Sequence, residues 1–287
     1  MKIGIGLPNT LPGIPGRTLV DWAVRAEQRG FAGLATIDRI VYPNFDSLAS
    51  LAAAAGATSR IGLMTNILLA PVYPPVLLAK AAASIDQLSG GRLTLGLGVG
   101  GRPDDFTAAG RPFKTRGRAF DADLALMHRA WRGEPVGGGE HAVGPTPVNN
   151  ARVPILMGGT SDQTLRRMVE WAEGWTAGGG GPQGAGAFAK RVRDAWADAG
   201  REGDPRLSAL VYFSLGDEVA EQSRANLRHY YAFAGQYGDM IADGALRTPQ
   251  AVRDTVAAFR DLGFTEVFLD ATTPDLDQVD RLADVVF

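Results

Sequence analysis

The chain has 287 residues, of which 45% are hydrophobic and 21% are charged, an ordinary composition for a globular protein. Its formal net charge of −2 gives no electrostatic reason to expect nucleic acid or an anionic membrane as a partner. It contains no cysteine, which excludes disulfides, thiolate catalysis and cysteine-based metal sites. Its three histidines, His128, His141 and His229, show no metal-ligand spacing, so we expect no metal site.

The apolar stretch at the N-terminus is too short, and too soon interrupted by Pro8, to be a signal peptide. No apolar run is long enough to span a membrane. We therefore expect a soluble, cytoplasmic protein. Length alone allows one or two domains, but α/β barrels often reach about 250 residues as a single domain. We expect one domain over residues 1–287.

Strands and helices are predicted to alternate from the N-terminus onward. The run over residues 61–69 is almost entirely apolar, which is typical of a strand buried on both faces of a parallel sheet. The helices carry apolar residues at helical spacing. The first half of the chain is predicted to contain strands at 2–7, 31–37, 61–69 and 92–97, and helices at 18–29, 45–57, 76–88 and 116–131.

Residues 133–152 break this rhythm with glycines, prolines and the pair Asn149-Asn150, and we expect a small excursion there that could hold a short strand. The second half is then predicted to contain strands at 153–157, 174–177, 207–215 and 266–269, and helices at 162–172, 185–199, 218–234, 248–262 and 276–286.

Eight strands that alternate with helices predict an α/β fold, a (β/α)8 TIM barrel. A doubly wound open sheet is the alternative. Such a sheet usually has fewer strands and carries its glycine signature after the first strand, where this chain has Pro8, Asn9 and Thr10. In a barrel of this kind the site is built from loops at the carboxyl ends of the strands. That rule selects Asn9, Thr10, Asp38, Arg39, Asn66, Ile67 and residues 98–105, 158–161 and 178–181.

The best single motif is the sequence Gly158, Gly159, Thr160, Ser161, which joins a strand to a helix. Backbone N–H groups and the positive end of the helix favour an anion there, and the hydroxyls add donors. A helix N-cap by Thr160 or Ser161 is the alternative, and the two interpretations are compatible. We favour a bound phosphate, because two glycines are more permissive than a cap requires.

Thr65 and Asn66 interrupt an otherwise apolar strand. A buried amide without a partner costs about 1–3 kcal/mol. Asn66 either pairs with a neighbouring strand or a buried water, or its strand meets a ligand there, and both alternatives stay open. Gly98 and Gly100 could let the backbone approach a ligand closely, although turns also need glycine.

The charged residues at the strand ends have ordinary explanations. Asp38 and Arg39 are expected to be solvated or to form an exposed ion pair. Asp104 and Asp105 lack a third ligand, so a helix cap or a contact with Arg102 is expected rather than a metal. Of the histidines, His128 is expected at the surface. His229 lies in the aromatic-rich segment RHYYAF, which either packs in the core, the alternative we favour, or faces a substrate or a partner subunit.

Four segments carry a resemblance to a known family: GFAGLATIDRIVYP, ILLAPVYPPVLLAKAAASIDQLSGGRLTLGLGVG, PFKTRGRAFDADL and VPILMGGTSDQTLRRMVEWAEGW. They span most of residues 30–177, and the part LAKAAASIDQLSGGRLTLGLGVG is highly specific. On these segments the chain resembles the bacterial luciferase-like superfamily of flavin-dependent oxidoreductases. The C-terminal third is only compatible with that family.

The resemblance implies a reduced flavin, either FMN or the deazaflavin F420, lying across the barrel mouth. The third strand would support its ring near Thr65, Asn66 and Ile67, through a non-prolyl cis peptide. The loop after the fourth strand would line the pocket, and the loop after the fifth would hold the phosphate. The expected cofactor-binding residues are Thr65, Asn66, Ile67, Gly98, Val99, Gly100, Gly158, Gly159, Thr160, Ser161 and Gly178, and the expected catalytic residues are Asp38, Arg39 and Asn66.

The chain departs from the family pattern in two places. Many F420-dependent members carry Asp-His after the second strand, where the histidine serves proton transfer, whereas this chain has Asp38-Arg39. Many members carry Trp where this chain has Gly101. The missing histidine weakens an F420-dependent alcohol dehydrogenase role. It does not weaken oxygen chemistry, where the reduced flavin supplies the reactive atom.

Three functions therefore stay open. The first is a monooxygenase that takes reduced FMN from a separate flavin reductase and uses O2 on a small or medium organic substrate, with Arg39 stabilising developing negative charge. The second is an F420-dependent oxidoreductase that transfers hydride without oxygen. The third is a non-catalytic flavin-binding protein. We expect a homodimer in solution.

Overall fold

Eight strands form the centre of the molecule in the computed structural model, which describes residues 1–149, 151–217 and 219–287. They are β1 (Lys2–Gly6), β2 (Gly33–Thr36), β3 (Gly62–Leu69), β4 (Leu93–Gly98), β5 (Ile155–Gly158), β6 (Gly174–Ala177), β7 (Arg206–Phe213) and β8 (Glu266–Ala271). All neighbours are parallel, and β1 pairs with β8 to close the sheet. The predicted (β/α)8 barrel is thus confirmed, and the doubly wound open sheet is excluded.

Helices surround the barrel. They are α1 (Gly16–Gln28), α2 (Ser47–Ala57), α3 (Pro75–Ser89), α4 (Pro103–Ala108), α5 (Arg116–Trp131), α6 (Asp162–Trp171), α7 (Gly181–Asp198), α8 (Val219–Tyr230), α9 (Gln236–Gly244), α10 (Pro249–Asp261) and α11 (Asp277–Val286). Short 3-10 helices cover Ala70–Val72 and Ala232–Ala234. Among the described residues, no helix is both long and apolar enough to cross a membrane.

Side chains alternate along each strand between the barrel interior and the surrounding helices, as strand geometry requires. The outward set, which includes Ile5 and Leu34, belongs to the main core shared with the helices. A smaller cluster of Ala35, Met64, Leu156 and Phe268 fills the interior. Gly4 makes room for it, because a Cβ at that position would collide with the ring of Phe268.

The unit from β3 to β4 shows why the sequence prediction succeeds there. Pro75 is the first residue of α3, a position that needs no backbone N–H donor. Gly90 follows the helix with φ of 69°, the left-handed cap that glycine adopts without cost. The predicted helix over residues 76–88 is therefore correct to one residue at each end.

The structure differs from the prediction in three segments. The turn after β4 contains α4, a six-residue helix that begins at Pro103 and is too short to show a periodic pattern. The single helix predicted over residues 218–234 is instead α8 followed by a 3-10 helix, and α9 was not predicted. In the excursion over residues 133–152 the described residues contain no strand. Asn150 and Glu218, which belong to these two predictions, lie outside the described residues.

Candidate functional site

A cavity of about 170 Å³ opens at the carboxyl end of the barrel. Of the residues selected from the sequence, six line it: Asp38, Asn66, Ile67, Arg102, Gly178 and Gly179. A larger cavity, of about 310 Å³, opens at the opposite end. There Arg206 and Glu266 form an ion pair at 2.8 Å, and that end of a TIM barrel serves stability. We therefore take the carboxyl-end cavity, named here the mouth cavity, as the candidate site.

Asp38 is a buried carboxyl group rather than a solvated one. It is 3% exposed, and it forms no ion pair with Arg39 among the described contacts. Its Oδ2 accepts a hydrogen bond from the backbone N–H of Leu69 at 2.9 Å, and its Oδ1 accepts one from the hydroxyl of Tyr73 at 3.0 Å. Burial outweighs these bonds and raises the pKa of Asp38 to about 6. The expectation of an exposed pair was wrong, because folding brings Leu69 and Tyr73 over the strand end.

Arg39 points to the end of α8. Its Nη1 donates to the carbonyl oxygen of Tyr230 at 2.7 Å. The guanidinium carbon lies 4.5 Å from the ring centroid of Tyr42 and 5.3 Å from that of Phe233. Arg39 does not belong to the lining of the mouth cavity. Its catalytic role stays a prediction.

The arginine that lines the mouth cavity is Arg102, at the start of α4. Its Nε donates to Oδ2 of Asp105 at 2.8 Å, which confirms the expected contact between Arg102 and the acidic pair. Asp105 is fully buried and also accepts from the backbone N–H groups of Ile40 and Val41 at 3.0 and 2.8 Å. This one carboxylate therefore ties the loop after β2 to the loop after β4.

Asn66 bridges the barrel interior. Its Oδ1 accepts a hydrogen bond from the hydroxyl of Thr176 on β6 at 2.8 Å. Its Nδ2 is buried and has no hydrogen-bond partner within the described residues. The alternative of pairing with a neighbouring strand is thus confirmed for Oδ1, whereas contact of Asn66 with a ligand stays a prediction. Thr65 instead donates to the carbonyl of Gly96 at 2.8 Å and does not line the cavity.

The peptide bond between Asn66 and Ile67 is cis, as predicted. The side chain of Ile67 occupies the space above two glycines. A Cβ on Gly98 would collide with it, and one on Gly158 would lie 2.9 Å from its Cγ2. Gly98 and Gly158 therefore have a structural reason to be glycine, namely room for Ile67. Val99 packs against the main core.

Gly100 has a similar structural role. Its φ is 73°, and a Cβ there would lie 3.2 Å from the ring of Phe106. Gly178 is exposed, and no atom lies near its missing Cβ, so the backbone beside the cavity is open at that point.

The loop from Gly158 to Ser161 caps α6, as one of the two interpretations expected. The Oγ of Ser161 accepts from the backbone N–H of Thr164 at 3.2 Å. Gly159 has φ of 103°, and its carbonyl accepts from Nε1 of Trp175 at 2.8 Å. Thr160 is exposed. The phosphate interpretation stays a prediction.

Six lining residues were not among those selected from the sequence: Ile37, Leu69, Leu210, Tyr212, Tyr230 and Tyr231. The hydroxyls of Tyr212 and Tyr231 lie 2.6 Å apart, and burial raises the pKa of both. For Tyr230 and Tyr231 the signal in the sequence is the aromatic segment RHYYAF, for which contact with a substrate or a partner subunit was the less favoured alternative. Tyr212 and Leu210 are typical residues of a buried strand, and nothing local distinguishes them.

Two histidine predictions were wrong. His229 is exposed, with its Nδ1 2.7 Å from the hydroxyl of Tyr42. His128 is half-buried, and its ring lies 4.9 Å from that of Trp171 and 5.2 Å from that of Trp131. Burial lowers its pKa to about 4. Across the described residues, no three His, Asp or Glu side chains cluster in a way that could hold a metal ion.

Known proteins share both the sequence and the fold. Residues 1–263 match the family model described as luciferase-like monooxygenase. An uncharacterized protein of Mycobacterium tuberculosis is 32% identical over 207 residues, covering 62% of this chain and 71% of that protein.

Two solved structures share the fold at low identity. Monooxygenase RslO1 from Streptomyces bottropensis has a TM-score of 0.82 at 22% identity and covers 99% of this chain and 97% of its own. An F420-dependent secondary alcohol dehydrogenase, solved with an F420-acetone adduct, has a TM-score of 0.82 at 17% identity and covers 100% and 98%. On the family match over most of its length, the chain belongs to the luciferase-like monooxygenase family.

Proposed function

We propose that this enzyme is a flavin-dependent monooxygenase that takes reduced FMN from a separate flavin reductase and uses O2 to oxygenate a small or medium organic substrate. The observation that carries the proposal is the chemical make-up of the mouth cavity. Its lining contains no histidine among the described residues, and its charged groups are Asp38 and Arg102. Both oxygens of Asp38 already accept hydrogen bonds. Such a lining supplies fixed donors rather than a free base.

The residues at the mouth fit a flavin. The Nδ2 of Asn66 is a buried donor that lacks an acceptor within the described residues, which suits a carbonyl or nitrogen acceptor of the ring. Gly178 leaves the neighbouring backbone open. The N-terminus of α6, with Gly159, Thr160 and Ser161, offers backbone N–H groups for the phosphate. Bound reduced FMN would supply the electrons that activate O2.

The protein's own groups would then orient and shield the reaction. Asn66 and Arg102 bring side-chain N–H donors to the lining of the cavity, and donors fixed before reaction stabilise negative charge without reorganisation. Tyr212, Tyr230 and Tyr231 place aromatic rings around it, which excludes water. Arg39 fixes the end of α8 by its bond to Tyr230 and so holds part of this wall.

A second candidate is hydride transfer with F420 and no oxygen. Its support is Asp38, a buried carboxyl group at the cavity whose pKa is raised to about 6. A base with a pKa near the working pH is effective in proton transfer. The fold shared with the F420-dependent dehydrogenase is compatible with this candidate.

Parallel anaerobic titrations with oxidised FMN, reduced FMN and reduced F420 test the choice of cofactor. Oxygen is then admitted, and its consumption is compared with that of free reduced FMN at the same concentration. The proposal expects tight binding of reduced FMN and a rate of oxygen use that the protein changes. Selective binding of reduced F420, with anaerobic reduction of a carbonyl compound, would replace it with the second candidate. Flavin binding that leaves oxygen use unchanged would indicate a non-catalytic flavin-binding protein.

A further inference from the structure

The mouth cavity has a floor and a roof of different origin. Asn66, Leu210 and Tyr212 lie on strands and form the floor. Arg102 comes from the loop after β4, whereas Tyr230 and Tyr231 come from the end of α8. These three residues lie beyond the strand ends, and we name them the roof. Phe233 follows these two tyrosines in the chain, and its ring centroid is 4.8 Å from the guanidinium carbon of Arg102.

Arg102 is fixed and still has donors to offer. Its side chain is 10% exposed and is held by the bond from Nε to the fully buried Asp105. Nη2 lies 3.4 Å from the carbonyl oxygen of Asp38. Nη1 makes no hydrogen bond within the described part of the chain, although a guanidinium has five N–H donors. Arg102 can therefore donate to a ligand oxygen in the cavity that it lines.

The charges around the roof determine which kind of ligand oxygen Arg102 can bind. The lining itself contributes Asp38 and Arg102, and the nearby charged groups are Arg39, Asp46 and Asp105. These formal charges leave no excess of positive charge, so the cavity offers directed donors without a net attraction for an anion. A free carboxylate would also face the charged Asp38. This balance favours a neutral acceptor, such as a carbonyl oxygen, over an anion.

The tyrosines favour an aromatic ligand. The rings of Tyr230 and Tyr231 have centroids 5.0 Å apart at an angle of 79°. Those of Tyr231 and Tyr212 are 6.0 Å apart at 77°. The hydroxyls of Tyr212 and Tyr231 form a hydrogen bond with each other. These two residues therefore offer the cavity their ring surfaces rather than free hydroxyl groups. Edge-to-face packing stabilises an aromatic pair beyond what the buried area alone contributes.

We infer that the substrate is an uncharged aromatic compound that carries a carbonyl oxygen, with the oxygen bound by Arg102 and the ring packed against Tyr212, Tyr230 and Tyr231. This inference rests on the proposed function for its chemistry, since it names the substrate class of the same site. It concerns binding, so it can be tested whether or not oxygen is consumed.

The test is equilibrium dialysis of the protein, with and without added FMN, against four probes. Acetophenone carries both the ring and the carbonyl. Ethylbenzene lacks the oxygen, cyclohexyl methyl ketone lacks the aromatic ring, and benzoate carries a charge. We expect acetophenone to bind at least tenfold more tightly than ethylbenzene and several-fold more tightly than the other two.

Two variants separate recognition from folding. Arg102→Gln removes the guanidinium but leaves Asp105 short of its partner, so it could lower stability. Arg102→Lys keeps a cation for Asp105 and removes the planar set of donors. Both are expected to reduce the preference for acetophenone over ethylbenzene to less than threefold, while ethylbenzene binding stays unchanged.

Arg167 provides the matched control. It is 7% exposed, pairs with Asp121 at 2.7 Å and lies 5.3 Å from the ring of Phe120, but it is on α6 outside the barrel. Arg167→Lys should leave all four affinities unchanged. Equal binding of acetophenone and ethylbenzene by the wild type, tighter binding of benzoate, or a preference that survives Arg102→Lys would overturn the inference. Failure of FMN binding or oxygen use would refute the proposed function alone.

Discussion

Asp270 is a buried carboxyl group in the upper part of the barrel interior. It lies on β8, is 4% exposed, and its Oδ1 has no hydrogen-bond partner within the described chain. Gly6 on β1 leaves the space for it, because a Cβ there would collide with the carboxyl. Burial raises the pKa of Asp270 well above its ordinary value. The folded protein therefore keeps this proton where the unfolded chain would release it.

This difference predicts a pH dependence of stability. Since the folded state binds the proton more tightly, the free energy of unfolding should fall as pH rises above about 4, the ordinary pKa of an aspartate. Asp270→Asn removes the titration while nearly keeping the shape. We expect it to stabilise the protein more at pH 8 than at pH 4, on a scale of about 1.4 kcal/mol per unit of pKa shift.

Urea denaturation of wild type and variant at both pH values measures this effect. Asp254→Asn serves as a control, because Asp254 is exposed on α10. Its effect should be small and equal at the two pH values. A gain for Asp270→Asn that does not depend on pH would show that the pKa of Asp270 is the same in the folded and the unfolded protein.

Arg39 is predicted to affect turnover although it does not line the mouth cavity. Its side chain holds the carbonyl of Tyr230 and lies against the rings of Tyr42 and Phe233. Cation–π contacts contribute about 0.5–2 kcal/mol each. We expect Arg39→Ala to keep the fold and most of the flavin affinity but to lower oxygen-dependent turnover about tenfold, because the roof loosens.

Oxygen consumption with reduced FMN at matched flavin occupancy measures the effect. Arg39→Lys keeps the charge and should fall between wild type and Arg39→Ala. If the loosened roof is the cause, acetophenone binding should also weaken in Arg39→Ala. Unchanged turnover and unchanged binding together would reduce Arg39 to a surface contact.

At the scale of elements, the sequence predicts those helices and strands whose ends and composition follow a local pattern. The helix α3 has its proline start and glycine end in the sequence, and β3 has its apolar run with Asn66 inside it. The position of Asn66 and the loop after β5 followed from strand ends alone. The short helix α4 gave no periodic signal, because six residues are fewer than two turns.

Contacts between residues far apart in the chain escaped prediction. Asp38 is buried because Leu69 and Tyr73, about thirty positions later, cover it. Tyr212 and Tyr231 are in contact because α8 leads the chain back over the barrel. For the same reason, His128 is more buried and His229 is more exposed than predicted, since the neighbours that cover a helix face are not revealed by the sequence.

The loop before α6 is the predicted phosphate site, and substitutions of Gly159 test it. Gly159 has φ of 103°, so any side chain strains the backbone there, and a Cβ would lie 3.0 Å from Oγ1 of Thr164. Gly159→Asp adds an anion at the predicted phosphate position, whereas Gly159→Ala adds only the strain. We expect the Asp variant to bind FMN at least tenfold more weakly than the Ala variant, because like charges repel.

Titration of both variants with FMN, followed by flavin fluorescence, gives the two dissociation constants. Thermal unfolding of the free proteins checks that the variants are equally folded. Two variants that bind FMN with the same affinity would place the phosphate at another loop, and the segment from Gly178 onward would be examined next.

For the whole molecule, the eight described strands form a closed barrel without a free edge, so we expect association to use the surrounding helices rather than strand pairing. The face of α3 presents Leu77 and Leu88, which are 63% and 66% exposed. They are eleven residues apart, which is three helical turns, and Ala81 and Ser84 lie between them on the same side. Small residues between two leucines allow an identical helix to approach closely.

This face predicts how the expected homodimer forms. In a twofold dimer the same patch meets itself, so each change is introduced twice at the interface. Burying one leucine contributes about 1.5–3 kcal/mol, and Leu88→Glu would place two like charges near each other. We expect sedimentation velocity to show a dimer for wild type and a dissociation constant at least tenfold higher for Leu88→Glu. Phe287→Glu is the control, because Phe287 is 67% exposed and packs on Phe31 away from α3. A monomeric wild type, or equal weakening by both variants, would contradict association through α3.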